Sequence, residues 1–137
     1  ADSLGIKANG IDGDNSIIRQ KQSLFHIHDY SKGKFIPKTF YDLAWCVEFL
    51  EHVEEKFQKN YFSTFYKCKY IFITFAPKNK RGFHHVNTKN EEYWIRVFKK
   101  YDFVIDINMT KKIRKSSTIK RNFIKEFGLF FKNQKIL

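Results

Sequence analysis

Lys69 to Ala76 (KYIFITFA) limits the choice of fold more than any other stretch of this chain: it is built from Ile, Phe, Tyr and Thr, and Pro77 closes it. β-Branched and aromatic residues favour strand geometry, and an apolar run without polar alternation needs cover on both faces. A central, doubly covered strand follows, and with it an α/β sheet rather than a bundle or sandwich. The neighbouring segments alternate accordingly. Phe40 to Val47 (FYDLAWCV) reads as a second buried strand, followed by a strand-to-helix junction at Glu48 to Val53 and an acidic helix start at Glu54 and Glu55. Val53, Phe57, Tyr61 and Phe65 then recur at four-residue spacing, giving the helix to about Tyr66 one apolar face. Asn90 to Tyr101 has helical spacing through Tyr93, Trp94, Val97, Phe98 and Tyr101, and Phe103 to Asn108 (FVIDIN) and Gly128 to Lys132 (GLFFK) resume strand character. Upstream, Lys7 to Asp12 (KANGID) and Ser23 to His28 (SLFHIH) are short extended runs that stop on the carboxylates of Asp12 and Asp29. Ala1 to Ile6 reads as the end of a helix.

The 137 residues suit a single domain spanning 1–137. A net charge of +12 alone would allow disorder, but 42% hydrophobic and 18% aromatic residues exclude it. Tyr70 to Ala76, the longest apolar stretch, falls far short of the ~20 residues of a membrane helix, and no signal-peptide core lies near Ala1. A soluble, cytoplasmic protein with no membrane partner is expected. Cys46 and Cys68 have neither a CxxC nor a Cys/His spacing, so both are expected as reduced core thiols. Lys111, Lys112, Arg114, Lys115, Lys120, Arg121 and Lys125 form an acid-free run inside a basic insertion at about 109–126. Clustered cations suit nucleic acid through counterion release, so a non-catalytic nucleic-acid-binding module is the competing reading. The aromatics, however, sit where a core needs them, and no RNA-recognition or helix-turn-helix signature is present. A solvated Lys-rich insertion is the favoured expectation, with nucleic acid possible as a partner.

Three stretches taken together go further. GIDGD at Gly10 to Asp14, HDY at His28 to Tyr30 and YDLAWCVEFLEHVEE at Tyr41 to Glu55 resemble, in order and spacing, the post-strand segments of class I S-adenosylmethionine-dependent methyltransferases. GFHHVN at Gly82 to Asn87 followed by EEYWIRVF resembles the loop and helix after the fifth strand of some members. The resemblance runs from Leu4 to Phe131. It implies an α/β, doubly wound Rossmann-like sheet, mostly parallel with an antiparallel last strand. The family's Gly-rich turn after its first strand is absent, so the sheet is expected to be N-terminally incomplete, with a gap between the family's second and fourth strands and unpaired edges there.

What the resemblance implies about chemistry follows residue by residue. The cofactor is S-adenosylmethionine, met just beyond the strands. Asp12 takes the ribose hydroxyls, the competing reading being an Asx-type turn with Gly13 and Asp14. Asp29 takes the adenine amino group, with the Tyr30 backbone beside it, and Glu48 lines the methionine end. Glu51 and His52 correspond to the family's EHV segment, near the substrate side or bracing the site. His52 is either a proton acceptor for a substrate hydroxyl or a helix N-terminal residue bonded to the backbone. His84 and His85 are candidates for the substrate side. Adjacent histidines point differently in most backbones, His26 and His28 are distant in sequence and no third ligand is close, so no metal is expected. The sequence has no (D/N)PPY-type motif after the fourth strand, which argues against amino methylation of DNA. A small-molecule or sugar-type acceptor is expected.

Overall fold

A computed structural model of the chain describes residues 2–16, 24–78 and 82–136. Strand β1 (Gly10–Asp12) pairs in parallel with β2 (Phe25–Ile27), with Asp12 opposite Ile27. Ser23, expected to open β2, lies outside the described residues. A second sheet has the order β3-β4-β6-β5, formed by Tyr41–Cys46, Cys68–Thr74, Gly128–Asn133 and Phe103–Ile105 respectively. β3 and β4 are parallel, and β6 runs antiparallel to both β4 and β5. Three strands of this sheet therefore share one direction and the last strand in sequence opposes them, as expected. Among the described residues β1 pairs with β2 alone and β3 with β4 alone, so each keeps an unpaired edge. Helix α1 (Gln58–Phe65) connects β3 to β4, α2 (Glu91–Lys100) precedes β5, and α3 (Ile107–Ser116) and α4 (Phe123–Phe127) lie between β5 and β6.

The two-residue period of β4 sorts its side chains onto two layers. Ile71 and Ile73 join Leu129 and Phe131 of β6 in the larger core, roofed by Tyr61, Phe62 and Phe65 of α1 and by Trp94 and Phe98 of α2. Rings lock this layer: Phe62 stacks on Tyr101 at 3.8 Å and Phe98 on Phe131 at 4.1 Å. Phe72 and Phe130 point the other way, onto Ile124 of α4 with Met109 and Ile113 of α3 beside it. Helices thus cover both faces of β4. Its buried stretch is Ile71–Thr74, while Lys69 and Tyr70 are half-exposed. No helix among the described residues is long and apolar enough to cross a membrane.

Three local expectations need correction. β3 is not buried: Trp45 is 58% exposed and Leu43 43%, because α3 packs on β6 and α4 on β4 and β6, leaving that face of β3 open beyond the stack of Trp45 on Phe72. FVIDIN is not one strand. Asp106 accepts the Met109 N–H at 2.9 Å as the N-cap of α3, so the extended run stops at Ile105. The basic stretch, about 109–126, is built mostly from α3 and α4. Its cations nevertheless face solvent, except Arg114, which donates to the Gly128 carbonyl and pairs with Glu91 at 2.7 Å. At the start of the chain Asp2–Leu4 forms a single 3₁₀ turn, and Ala1 lies outside the described residues. Cys46 and Cys68 are both free, and burial pushes the Cys68 thiol up to about 11.

Candidate functional site

In the smaller sheet the ends of β1 and β2 meet. The His28 N–H donates to the Asp12 carbonyl at 2.8 Å, carrying the pairing past the strands, and a Cβ on Gly13 would lie 3.7 Å from the Asp29 Cα. Asp12 and Asp29 therefore leave neighbouring parallel strands at the same end. Each anchors a turn: Asp12 Oδ1 accepts the Asp14 N–H at 3.0 Å and Asp29 Oδ1 the Ser31 N–H at 2.8 Å. The turn reading of Asp12 is thus realised, and it leaves ligand binding open, because an ionised carboxylate has about four acceptor positions. The Ser31 hydroxyl, then its N–H, hold the Asp29 carboxyl below the usual range.

Tyr30 is a core residue. Its hydroxyl shares a 2.7 Å hydrogen bond with Thr64, its carbonyl accepts from Asn60 at 2.7 Å, and its ring meets Phe49 and Tyr61 edge-on. Desolvation pushes its phenol up to about 12. The side chain is thus a bolt between the segment after β2 and the segment after β3.

Beyond β3, Glu48 adopts φ 52° while its N–H donates to the buried Thr74 hydroxyl at 2.9 Å. A left-handed backbone at a residue other than glycine costs on the order of 1 kcal/mol, and such strain gathers at functional sites. Glu48 itself is exposed. A 3₁₀ turn at Leu50–His52 follows, with Leu50 fully buried and Glu51 only 1% exposed. The Glu51 carbonyl accepts the N–H groups of Val86 and Asn87 at 2.8 and 3.0 Å, and the Asn87 side chain donates to the Val53 carbonyl at 3.1 Å. These bonds latch the HHVN loop onto the segment after β3.

The histidines are placed by that latch. His84, at φ 53°, turns its carbonyl to His52 Nδ1 at 3.2 Å. A carbonyl only accepts, so Nδ1 carries a proton, and in the neutral ring the lone pair is then on Nε2. The His85 ring meets His52 edge-on at 5.1 Å, whereas the exposed His84 ring packs against Phe83 instead. Gly82 makes room for His85, since a Cβ there would lie 2.3 Å from the ring. One ligand atom from each of Glu51, His52 and His85 falls within 4.8 Å of the others. Desolvation raises the Glu51 pKa and nearby Glu48 adds to it, while its backbone N–H and the two imidazoles oppose the rise. Glu51 Oε2 has no hydrogen-bond partner among the described residues.

Of the residues singled out from sequence, Asp12 and Asp29 gather at one strand end and His52 and His85 at another. Glu48 lies beside that second group, His84 contributes its carbonyl there, and Tyr30 stands between as packing. Sequence reasoning missed Asn87, Thr74 and Gly82. The polar Asn87 and the small Gly82 flanking FHHV were the available signal.

No protein-family model matches the sequence and no curated protein matches it. Among solved structures, the chain is similar to magnesium protoporphyrin IX methyltransferase from Synechocystis PCC 6803, crystallised with bound SAH. The identity is 15% and the TM-score 0.45, with 78% of this chain and 48% of that chain covered. This chain thus spans about half the length of that structure.

Proposed function

We propose that the protein is an S-adenosylmethionine-dependent methyltransferase acting on a small-molecule acceptor, sugars included. The observation that carries this reading is the meeting of acidic strand ends: Gly13 against Asp29 after β1 and β2, and Tyr30 against Phe49 across to the segment after β3. In α/β sheets, ligands lie outside the carboxyl ends of the strands. The donor set fits this cofactor, because two ribose hydroxyls and an adenine amino group need acceptors and Asp12 and Asp29 supply carboxylates on adjoining strands. Asp12 would hold the ribose, Asp29 with the Tyr30 backbone the adenine, and Glu48 the methionine end.

S-adenosylmethionine, when bound, supplies an electrophilic methyl group on a sulfonium sulfur. The chain's own task is to hold the acceptor in line and to receive the proton that an acceptor hydroxyl loses. His52, His84 and His85 are the candidates for the second role, and His52 Nε2 has the lone pair for it. Calorimetric titration with S-adenosylhomocysteine tests the reading. One-to-one binding is expected, weakened at least about tenfold in Asp12→Ala, the size of a lost hydrogen bond to a charged group. No heat up to millimolar ligand would overturn it.

A further inference from the structure

We propose that Glu51, His52 and His85 bind a first-row divalent transition ion of the zinc class, leaving a coordination position open to an oxygen ligand. Two imidazoles and a carboxylate form a ligand set that zinc uses where a fourth position stays available. The three side chains come from two loops, Glu51 and His52 from the turn after β3 and His85 from the loop after β4, and their ligand atoms lie within 4.8 Å of one another. A tetrahedral ion with bonds of about 2.0–2.1 Å sets its ligands about 3.3 Å apart. Ion binding would require the exposed His52 and half-exposed His85 side chains to close that difference.

A second observation points the same way. Glu51 is 1% exposed, and its Oε2 has no hydrogen-bond partner among the described residues. Burying a carboxylate oxygen unsatisfied is costly, and a cation is a partner that removes the cost. The surroundings are also those of a built ligand site. His52 Nδ1 donates to the His84 carbonyl, the kind of outer bond that orients a metal-binding imidazole and would leave Nε2 for the ion. The glycine at 82 leaves the space that the His85 ring occupies. The strained backbones of Glu48 and His84 lie in the same two loops.

Ion binding stands on this cluster alone; its use toward an acceptor rests on the methyl-transfer reading. An acceptor hydroxyl in the open position would lose its proton more readily beside the ion. His52 and His85 would then act as ligands, with His84 the imidazole outside the set.

The test starts from protein stripped with a chelator and titrated with ZnCl2 by calorimetry, and with CoCl2 by visible absorption. One equivalent of zinc is expected, with cobalt bands of a nitrogen- and oxygen-ligated site. His52→Ala, His85→Ala and Glu51→Gln should each weaken zinc binding at least about tenfold, and His26→Ala should leave it unchanged. Gly82→Ala keeps all three ligands but displaces the His85 ring, and should weaken binding as well. Circular dichroism of each variant separates lost ligands from lost fold, and the cobalt spectrum of the wild type stands independently of every variant. No binding of either ion at millimolar concentration, or binding indifferent to His52→Ala and His85→Ala, would overturn the site. S-adenosylhomocysteine titrated into the same stripped protein keeps the two ideas apart: zinc without nucleoside binding sinks methyl transfer alone, and the converse sinks the ion site alone.

Discussion

Asp12 and Asp29 differ from Glu51 in how a carboxylate after a strand is satisfied. The two aspartates cap turns within two residues of themselves and remain half-exposed. Glu51 is buried next to Leu50 in the turn after β3, its carbonyl accepts two N–H groups of the HHVN loop, and its Oε2 has no hydrogen-bond partner among the described residues. A locally satisfied carboxylate stabilises its turn whether or not a ligand arrives. A buried, unmatched one holds free energy that only a ligand or a proton releases. The first pair suits reversible hydrogen bonding to a nucleoside, and the second suits a cation.

Tyr30 joins the two regions, so its truncation should have the largest effect. Tyr30→Ala is expected to cost about 3–5 kcal/mol, as for other buried aromatics, measured by urea unfolding. A loss under about 1 kcal/mol would show that the regions are held together elsewhere. Glu51→Leu in ion-free protein should leave stability unchanged or raise it by up to about 4 kcal/mol, as when a buried charge gives way to an apolar side chain. A marked loss would mean that Oε2 has a partner after all. Asp12→Ala should act in the opposite direction, lowering stability by about 0.5–1.5 kcal/mol through the lost turn bond. Equal signs for the two variants would break the contrast.

The smallest effect is electrostatic. The folded pKa of Asp29 lies below its ordinary 3.8, chiefly through the Ser31 hydroxyl. Such a group adds stability that is present above the unfolded value and is lost as pH falls through the folded one. Ser31→Ala should therefore be slightly less stable than wild type near neutral pH and converge with it in acid. A gap that persists at low pH would assign the effect of Ser31 to packing.

Much of the fold was legible because its signals are local. KYIFITFA has the composition of a covered strand, and EEYWIRVFKK carries both a helical apolar face and an Asn90 cap that accepts the Tyr93 N–H. The errors have local causes too. FVIDIN contains a capping aspartate that ends the strand, and FYDLAWCV is apolar on a face where Leu43 and Trp45 stay exposed. The candidate site was half legible. Asp12 and Asp29 declare themselves by following extended runs, and the EHV and FHHV segments stood out as sequence. That His85 rather than His84 turns toward His52 depends on the φ of His84 and on space at Gly82, and neither is written in the spacing of two adjacent histidines.

The sequence by itself determined the α/β alternation, the acidic strand ends and the outward basic face, because period, propensity and charge act over a few residues, while the antiparallel last strand was an implication of the family resemblance. Only the tertiary structure decided that Glu51 is buried, that the loops after β3 and β4 are latched together, and that Glu51, His52 and His85 share one site. Those outcomes depend on which backbone groups distant segments offer one another once the core has closed, and burial gives a carboxylate its chemistry only then.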